Sequence, residues 1–140
     1  MEFDNNNKVV QLCAEGMNRE GNREEALALF QEAWEIASTD KEKFIAAHYL
    51  ARQQQSVEEK LNWDRTALLH ALQVPGEESK SVLPSLYLNI GKCHEDLGDL
   101  VQAENNYRLA AAFEKYLPTD GYGNLIRSGI QNGLARITKK

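Results

Sequence analysis

Between residues 83 and 97 the chain places Leu83, Leu86, Tyr87, Ile90, Gly91, His94 and Leu97 at steps of three and four. That spacing puts them on one face of a helix. Gly98 ends the run, and Asp99 followed by Gln102 has the form of an N-cap with a capping box. In the helix that begins there, Leu100, Ala103, Tyr107, Ala110 and Glu114 share a stripe, widened by Ala111, Phe113 and Leu117. No stretch alternates apolar and polar residues long enough for a strand, and only Pro75, Pro84 and Pro118 interrupt the helical patterning. The pattern predicts an all-α chain.

The same anatomy recurs over residues 13–37 at an offset of 77, where Gly21-Asn22 stands for Gly98-Asp99, Ala26 for Ala103, Phe30 for Tyr107 and Ala33 for Ala110. A weaker copy lies over 44–75, with a turn at Gln55-Ser56 and with Leu68 and Ala71 in the places of Phe30 and Ala33. Thr39 with Glu42 and Ser56 with Glu59 are further capping-box patterns. The successive steps are 38 and 39 residues. A single helix hairpin cannot bury its apolar stripe, so such copies must stack, with alanine or glycine where helices approach most closely.

These residues resemble the tetratricopeptide repeat family. The third copy carries the signature best, in Tyr87, Ile90-Gly91, His94, Gly98-Asp99, Ala103, Tyr107 and Ala110. The first copy matches from Gly21 to Ala33 but has Cys13-Ala14 where the family has Leu-Gly, and the middle copy has Asp64 where a small residue belongs. The period exceeds the family's usual value of about 34, so turns are longer or helices extended. Over residues 7–117 the resemblance implies a right-handed superhelical stack of antiparallel helix pairs, at about 5–38, 40–74 and 81–117, in a single domain spanning 1–140.

The tail opens on turn formers, Thr119, Asp120, Gly121 and Gly123, and either Thr119 or Asp120 can cap the helix that follows. There Ile126, Ile130, Leu134 and Ile137 form one apolar face with Gly129 and Gly133 beside it, and Arg136, Lys139 and Lys140 suit the C-terminal end of the dipole. A solitary seventh helix over 120–138 is expected, closing the stack and lying close to its neighbour through the two glycines.

Composition and charge narrow the function. At 140 residues, with 42% apolar and 26% charged residues, the chain is long enough to bury a core without a metal or disulfide staple. A formal charge of −5 argues against nucleic acid or an anionic membrane as the main partner. No secretory signal or spanning segment is visible, and Cys13 and Cys93 are far apart, which points to reduced thiols and a cytoplasmic protein. The run Cys93, His94, Glu95, Asp96 looks like a ligand set, yet consecutive helical residues fan around the circumference and cannot converge on one ion. It reads as packing. Trp63 and His70, seven apart, read as core margin, and Gly121-Tyr122-Gly123 is too short for a phosphate loop. No catalytic, metal or cofactor residues are assigned.

The resemblance implies that the first helix of each pair lines a concave, partner-binding surface. Its groove positions fall on Gln11, Glu15 and Asn18, on Tyr49, Gln53 and Ser56, and on Leu88, Lys92 and Glu95, with Tyr49 and Leu88 as exposed anchors. The places of the family's carboxylate clamp hold Gln11, Glu15, Leu50, Ser85 and Asn89, which cannot grip an acidic chain terminus. The expected function is a non-enzymatic adaptor for a protein or peptide partner. Two rival readings are self-association, as in a homodimer, and a small-ligand site around His48, Arg52 and Tyr122.

Overall fold

The computed structural model describes residues 1–139, and among them every regular element is helical. The α-helices are α1 (Lys8–Asn18), α2 (Arg23–Ile36), α3 (Asp40–Arg52), α4 (Val57–Gln73), α5 (Leu83–Asp96), α6 (Leu100–Ala112) and α7 (Gly121–Thr138), with short 3-10 turns at Glu78–Ser81 and Glu114–Tyr116. The helices begin where the sequence supplies a cap. Thr39 and Glu42 form the full reciprocal box, while Ser56, Asp99 and Asp120 accept from the backbone N–H three residues on. Asn7 and Asn22 do the same for α1 and α2. Each such cap contributes about 1 kcal/mol by satisfying donors the helix cannot. Only α5 starts without one, on Pro84, whose missing N–H would have been an orphan. Of the two caps open to α7, Asp120 is the one used.

The chain divides into two compact units, Met1–Val74 and Pro75–Lys140. In the first, α1 and α2 form a hairpin against which α3 packs, and α4 pairs with α3. Its interior holds Leu12 and Cys13 from α1, Ala26, Phe30 and Ala33 from α2, Ala46, Ala47 and Leu50 from α3, and Ala67 and Ala71 from α4. Phe30 stacks on Tyr49 with ring centroids 5.2 Å apart, and Trp34 meets Trp63 edge-on at 5.1 Å and His70 at 6.1 Å. The Asp64 expected in place of a small residue is buried and ion-paired with Lys60 at 2.7 Å.

In the second unit α5 and α6 form the hairpin and α7 packs on both. Ala103 and Tyr107 meet Ile137, and Ala110 meets Ile126 and Ile130. The two glycines of α7 sit where they permit this. A Cβ on Gly133 would lie 2.7 Å from the Tyr107 ring, and one on Gly129 would lie 2.9 Å from Leu88.

The small residue of the first copy is not where the expected register put it. Ala14 is exposed. Gly16 instead backs onto Phe30, with room for no Cβ (2.4 Å), as Gly91 backs onto Tyr107 (2.8 Å). The reason is where the first helix ends: α1 stops at Asn18, two residues past Gly16, whereas α5 runs to Asp96, five past Gly91. Six positions separate Gly16 from the cap Asn22, whereas eight separate Gly91 from the cap Asp99. The second helices of the two copies are therefore 77 apart, as read, but the first helices are 75 apart.

Candidate functional site

Leu88, Lys92 and Glu95 do share one face of α5, but α7 lies across most of it. Leu88 packs under Gly129 and against the Ala110 cluster, so it is a half-buried contact and not an exposed anchor. Glu95 is buried at 8% exposure, because Arg136 of α7 grips it with two bonds (Nε to Oε2 3.0 Å, Nη2 to Oε1 3.1 Å). The Tyr107 hydroxyl donates to the same carboxylate at 2.7 Å. Burial and the carboxylate push the Tyr107 phenol well above its ordinary pKa, so it stays a donor. Of the three, Lys92 alone stays exposed, paired with Asp96.

The corrected register shows the same device in the first unit. Counting from Gly16 as from Gly91, the face equivalent to Leu88, Lys92 and Glu95 is Cys13, Met17 and Glu20. Cys13 is buried, and burial pushes its thiol up to about 12. Met17 is 45% exposed, as Lys92 is also exposed. Glu20 is held by the helix that follows, Arg52 at 3.0 Å and Gln53 at 2.6 Å, as Glu95 is held by Arg136. Gln11, Glu15 and Asn18 are exposed on α1 but lie off this face by two residues, a displacement set by the earlier end of α1. A signal for it was present in the sequence, in Gly16 itself.

Tyr49 is half-buried, stacked on Phe30 and covered by the Arg52 guanidinium at 5.5 Å, so it too is not an exposed anchor. Gln53 is committed to Glu20 through its side chain and to Arg23 through its carbonyl, and Ser56 is the N-cap of α4. Of the proposed ligand site, His48 and Arg52 are on α3 in the first unit and Tyr122 is on α7 in the second. His48 stacks beside Phe44 and Tyr49, and its Nδ1 is buried without a hydrogen-bond partner. Burial, with the charges of Arg52 and Lys60, holds its pKa down to about 4 and the ring neutral. Cys93, His94 and Glu95 are all buried and Asp96 is exposed, so α5 is covered on more than one side. Among the described residues no three His, Cys, Asp or Glu side chains gather as a metal set, and no helix is long and apolar enough to cross a membrane.

What sequence reasoning missed is a cleft of about 190 Å³ in the first unit, where the first turns of α1 and α3 meet the segment before α1. Phe3, Val10 and Ile45 give it apolar walls, and Thr39, Lys41 and Glu42 edge it. Phe3 lies parallel to Phe44 (centroids 6.4 Å apart, 16° between planes), with the Lys41 ammonium 5.3 Å from the Phe3 ring centre. Glu42 accepts from Asn7 Nδ2 at 2.7 Å, Ser38 N at 2.9 Å and Thr39 N at 3.2 Å. Those donors, the Asn7 amide foremost, hold its carboxyl down to about 2.

No family model and no curated protein matches the chain. Two solved structures do, each at 22% identity. One is PcrH in complex with the chaperone binding region of PopD, with a TM-score of 0.70 over 92% of this chain and 90% of that one. The other is PcrH from Pseudomonas aeruginosa, with a TM-score of 0.68 over 93% and 91%. With the two glycine-backed hairpins and their following helices, this likeness establishes an all-α, tetratricopeptide-repeat-like fold.

Proposed function

We propose that the chain is a non-enzymatic adaptor of the chaperone kind, holding a segment of a partner protein in the cytosol. The observation that carries this reading is its likeness, over nearly its whole length, to a structure in which PcrH is in complex with the chaperone binding region of another protein. The side-chain geometry supports it. The titratable groups that looked like chemistry are committed to packing, Glu95 to Tyr107 and Arg136 and His48 to an aromatic stack, and Glu20 is likewise committed to Arg52 and Gln53. These contacts fix each first helix against the helix that follows its hairpin. A rigid surface of this sort binds without first paying an ordering cost. Met17 and Lys92 are the members of the repeated face that remain at the surface, and the first unit also carries the cleft at Val10 and Ile45.

The test is selection of displayed random peptides on the purified chain, followed by fluorescence anisotropy on individual winners. Enrichment of a shared motif, with binding weakened tenfold or more by Met17→Glu or by Lys92→Glu at unchanged melting temperature, is the expected result. A folded chain that enriches no sequence above background refutes the reading.

A further inference from the structure

The cleft of the first unit is furnished for a particular guest. Its polar edge is already satisfied from within: Glu42 by Asn7, Ser38 and Thr39, Asp4 by the Asn6 amide at 2.9 Å, and Lys41 by the Phe3 ring. An entering group therefore meets a polar edge already engaged, and the apolar surface left to it is Phe3, Val10 and Ile45. Apolar contact is what such a space rewards. Its size sets the scale of the guest, since a cavity of about 150 Å³ lined by Leu, Ile and Phe takes one benzene. A volume of about 190 Å³ suits a single aromatic side chain. The chain's own Phe3, parallel to Phe44 and with the Lys41 ammonium over its ring, gives the cleft one aromatic wall on which a second ring can stack.

Charge defines what flanks that ring. Residues 1–74 carry 13 Asp and Glu against 8 Lys and Arg, whereas residues 75–140 carry 8 against 8, so the whole formal charge of −5 resides in the first unit. Among the residues lining the cleft, Asp4 and Glu42 stand against the single cation Lys41. A field of that sign draws basic segments in and turns acidic ones away.

We propose that this cleft is the anchor site for one aromatic side chain of a partner peptide, flanked by lysine or arginine. The inference rests on the adaptor reading and names the chemistry of the partner at one place on it.

Three blocked pentapeptides test it by titration into the ¹⁵N-labelled chain: Gly-Lys-Phe-Lys-Gly, the same with Ala for Phe, and the same with Glu for both Lys. The first is expected to shift the amides of Val10 and of residues 39–45, the other two to bind at least tenfold more weakly, and high salt to close the gap between the Lys and Glu forms. Val10→Trp, which fills the cleft from a half-buried position, is expected to abolish the shifts at an unchanged melting temperature. Equal shifts from the Ala peptide or the Glu peptide overturn the proposal, as do shifts that map elsewhere. Shifts at these amides that grow with protein concentration alone would hand the cleft to a second copy of the chain and also overturn it. The selected peptides separate the two levels. If they bind Val10→Trp as tightly as the parent, the cleft assignment falls and the adaptor reading stands; if nothing is selected, the adaptor reading falls and the cleft assignment, which rests on it, falls too.

Discussion

Replacing Gly133 with alanine tests the packing of α7 through the sign of its effect. In a helix whose face is free, alanine for glycine gains about 1 kcal/mol in propensity. Gly133 is not free. Its new methyl would lie 2.7, 2.8 and 3.0 Å from the Cζ, Cε1 and Cε2 atoms of Tyr107. That ring is wholly buried, and its hydroxyl is tied to Glu95 at 2.7 Å, so it cannot swing aside as an exposed side chain would. Overpacking of this kind costs about 1–3 kcal/mol. Displacing the ring also weakens a hydrogen bond to a charged group, the sort that contributes about 1.5–3 kcal/mol. Set against the propensity gain, the expected net is a loss of about 1–3 kcal/mol, or at least about 4 °C in the melting temperature of a unit this size. Urea unfolding followed by helical circular dichroism reads it as a lower midpoint at constant slope. Gly121→Ala is the internal control, since nothing lies within 4 Å of its Cβ position at the exposed start of the same helix. It should be neutral or slightly stabilising. A midpoint that rises for Gly133→Ala as for Gly121→Ala would refute the docking of α7 on Tyr107.

Two further outcomes follow from the buried ionisable groups. His48 is held neutral down to about pH 4, whereas unfolded histidine takes its proton near 6.5, so between those values the unfolded state binds the extra proton. Stability should therefore fall as pH drops through that window, by up to about 1.4 kcal/mol per pH unit, and His48→Leu should flatten the slope in a pH series of urea midpoints. A slope unchanged by the substitution would show that His48 titrates normally. Arg136→Ala takes both guanidinium bonds from the buried Glu95 carboxylate, at an expected cost of about 1–2 kcal/mol because the guanidinium itself is partly exposed. A double-mutant cycle with Glu95→Gln that shows no coupling would mean that the pair holds nothing.

Much of the architecture was legible because it is written locally. Thr39, Ser56, Asp99 and Asp120 announce helix starts by their own chemistry, and Ala26, Phe30, Ala33 and their counterparts at 103, 107 and 110 sit wholly buried where the pattern put them. The seventh helix and the use of its two glycines could be read for the same reason. The surface was harder. Periodicity assigns Leu88, Lys92 and Glu95 to one face but does not say what covers it, and the cover is Arg136, 41 residues beyond Glu95. In the first copy two small residues, Ala14 and Gly16, compete for the contact with the second helix, and only the measured approach to Phe30 chooses between them. The cleft depends on Phe3 folding back over Phe44, 41 residues away, and no pattern within a helix encodes that.

The two hairpins also differ in a way that bears on how such a chain tolerates change. Between Gly16 and Asn22 there are two residues fewer than between Gly91 and Asp99, yet both glycines meet an aromatic ring and both Glu20 and Glu95 meet an arginine. The difference falls at the end of the first helix, since α1 stops at Asn18, two residues past Gly16, and α5 runs to Asp96, five past Gly91. In the middle of a helix the same deletion would rotate every later residue by roughly 200° and expose the core. Insertions and deletions are thus filtered by position: the end of α1 and the turn after it can drift in length while the faces on either side stay in step. Shortening or lengthening that junction is the change to which this fold should be most indifferent.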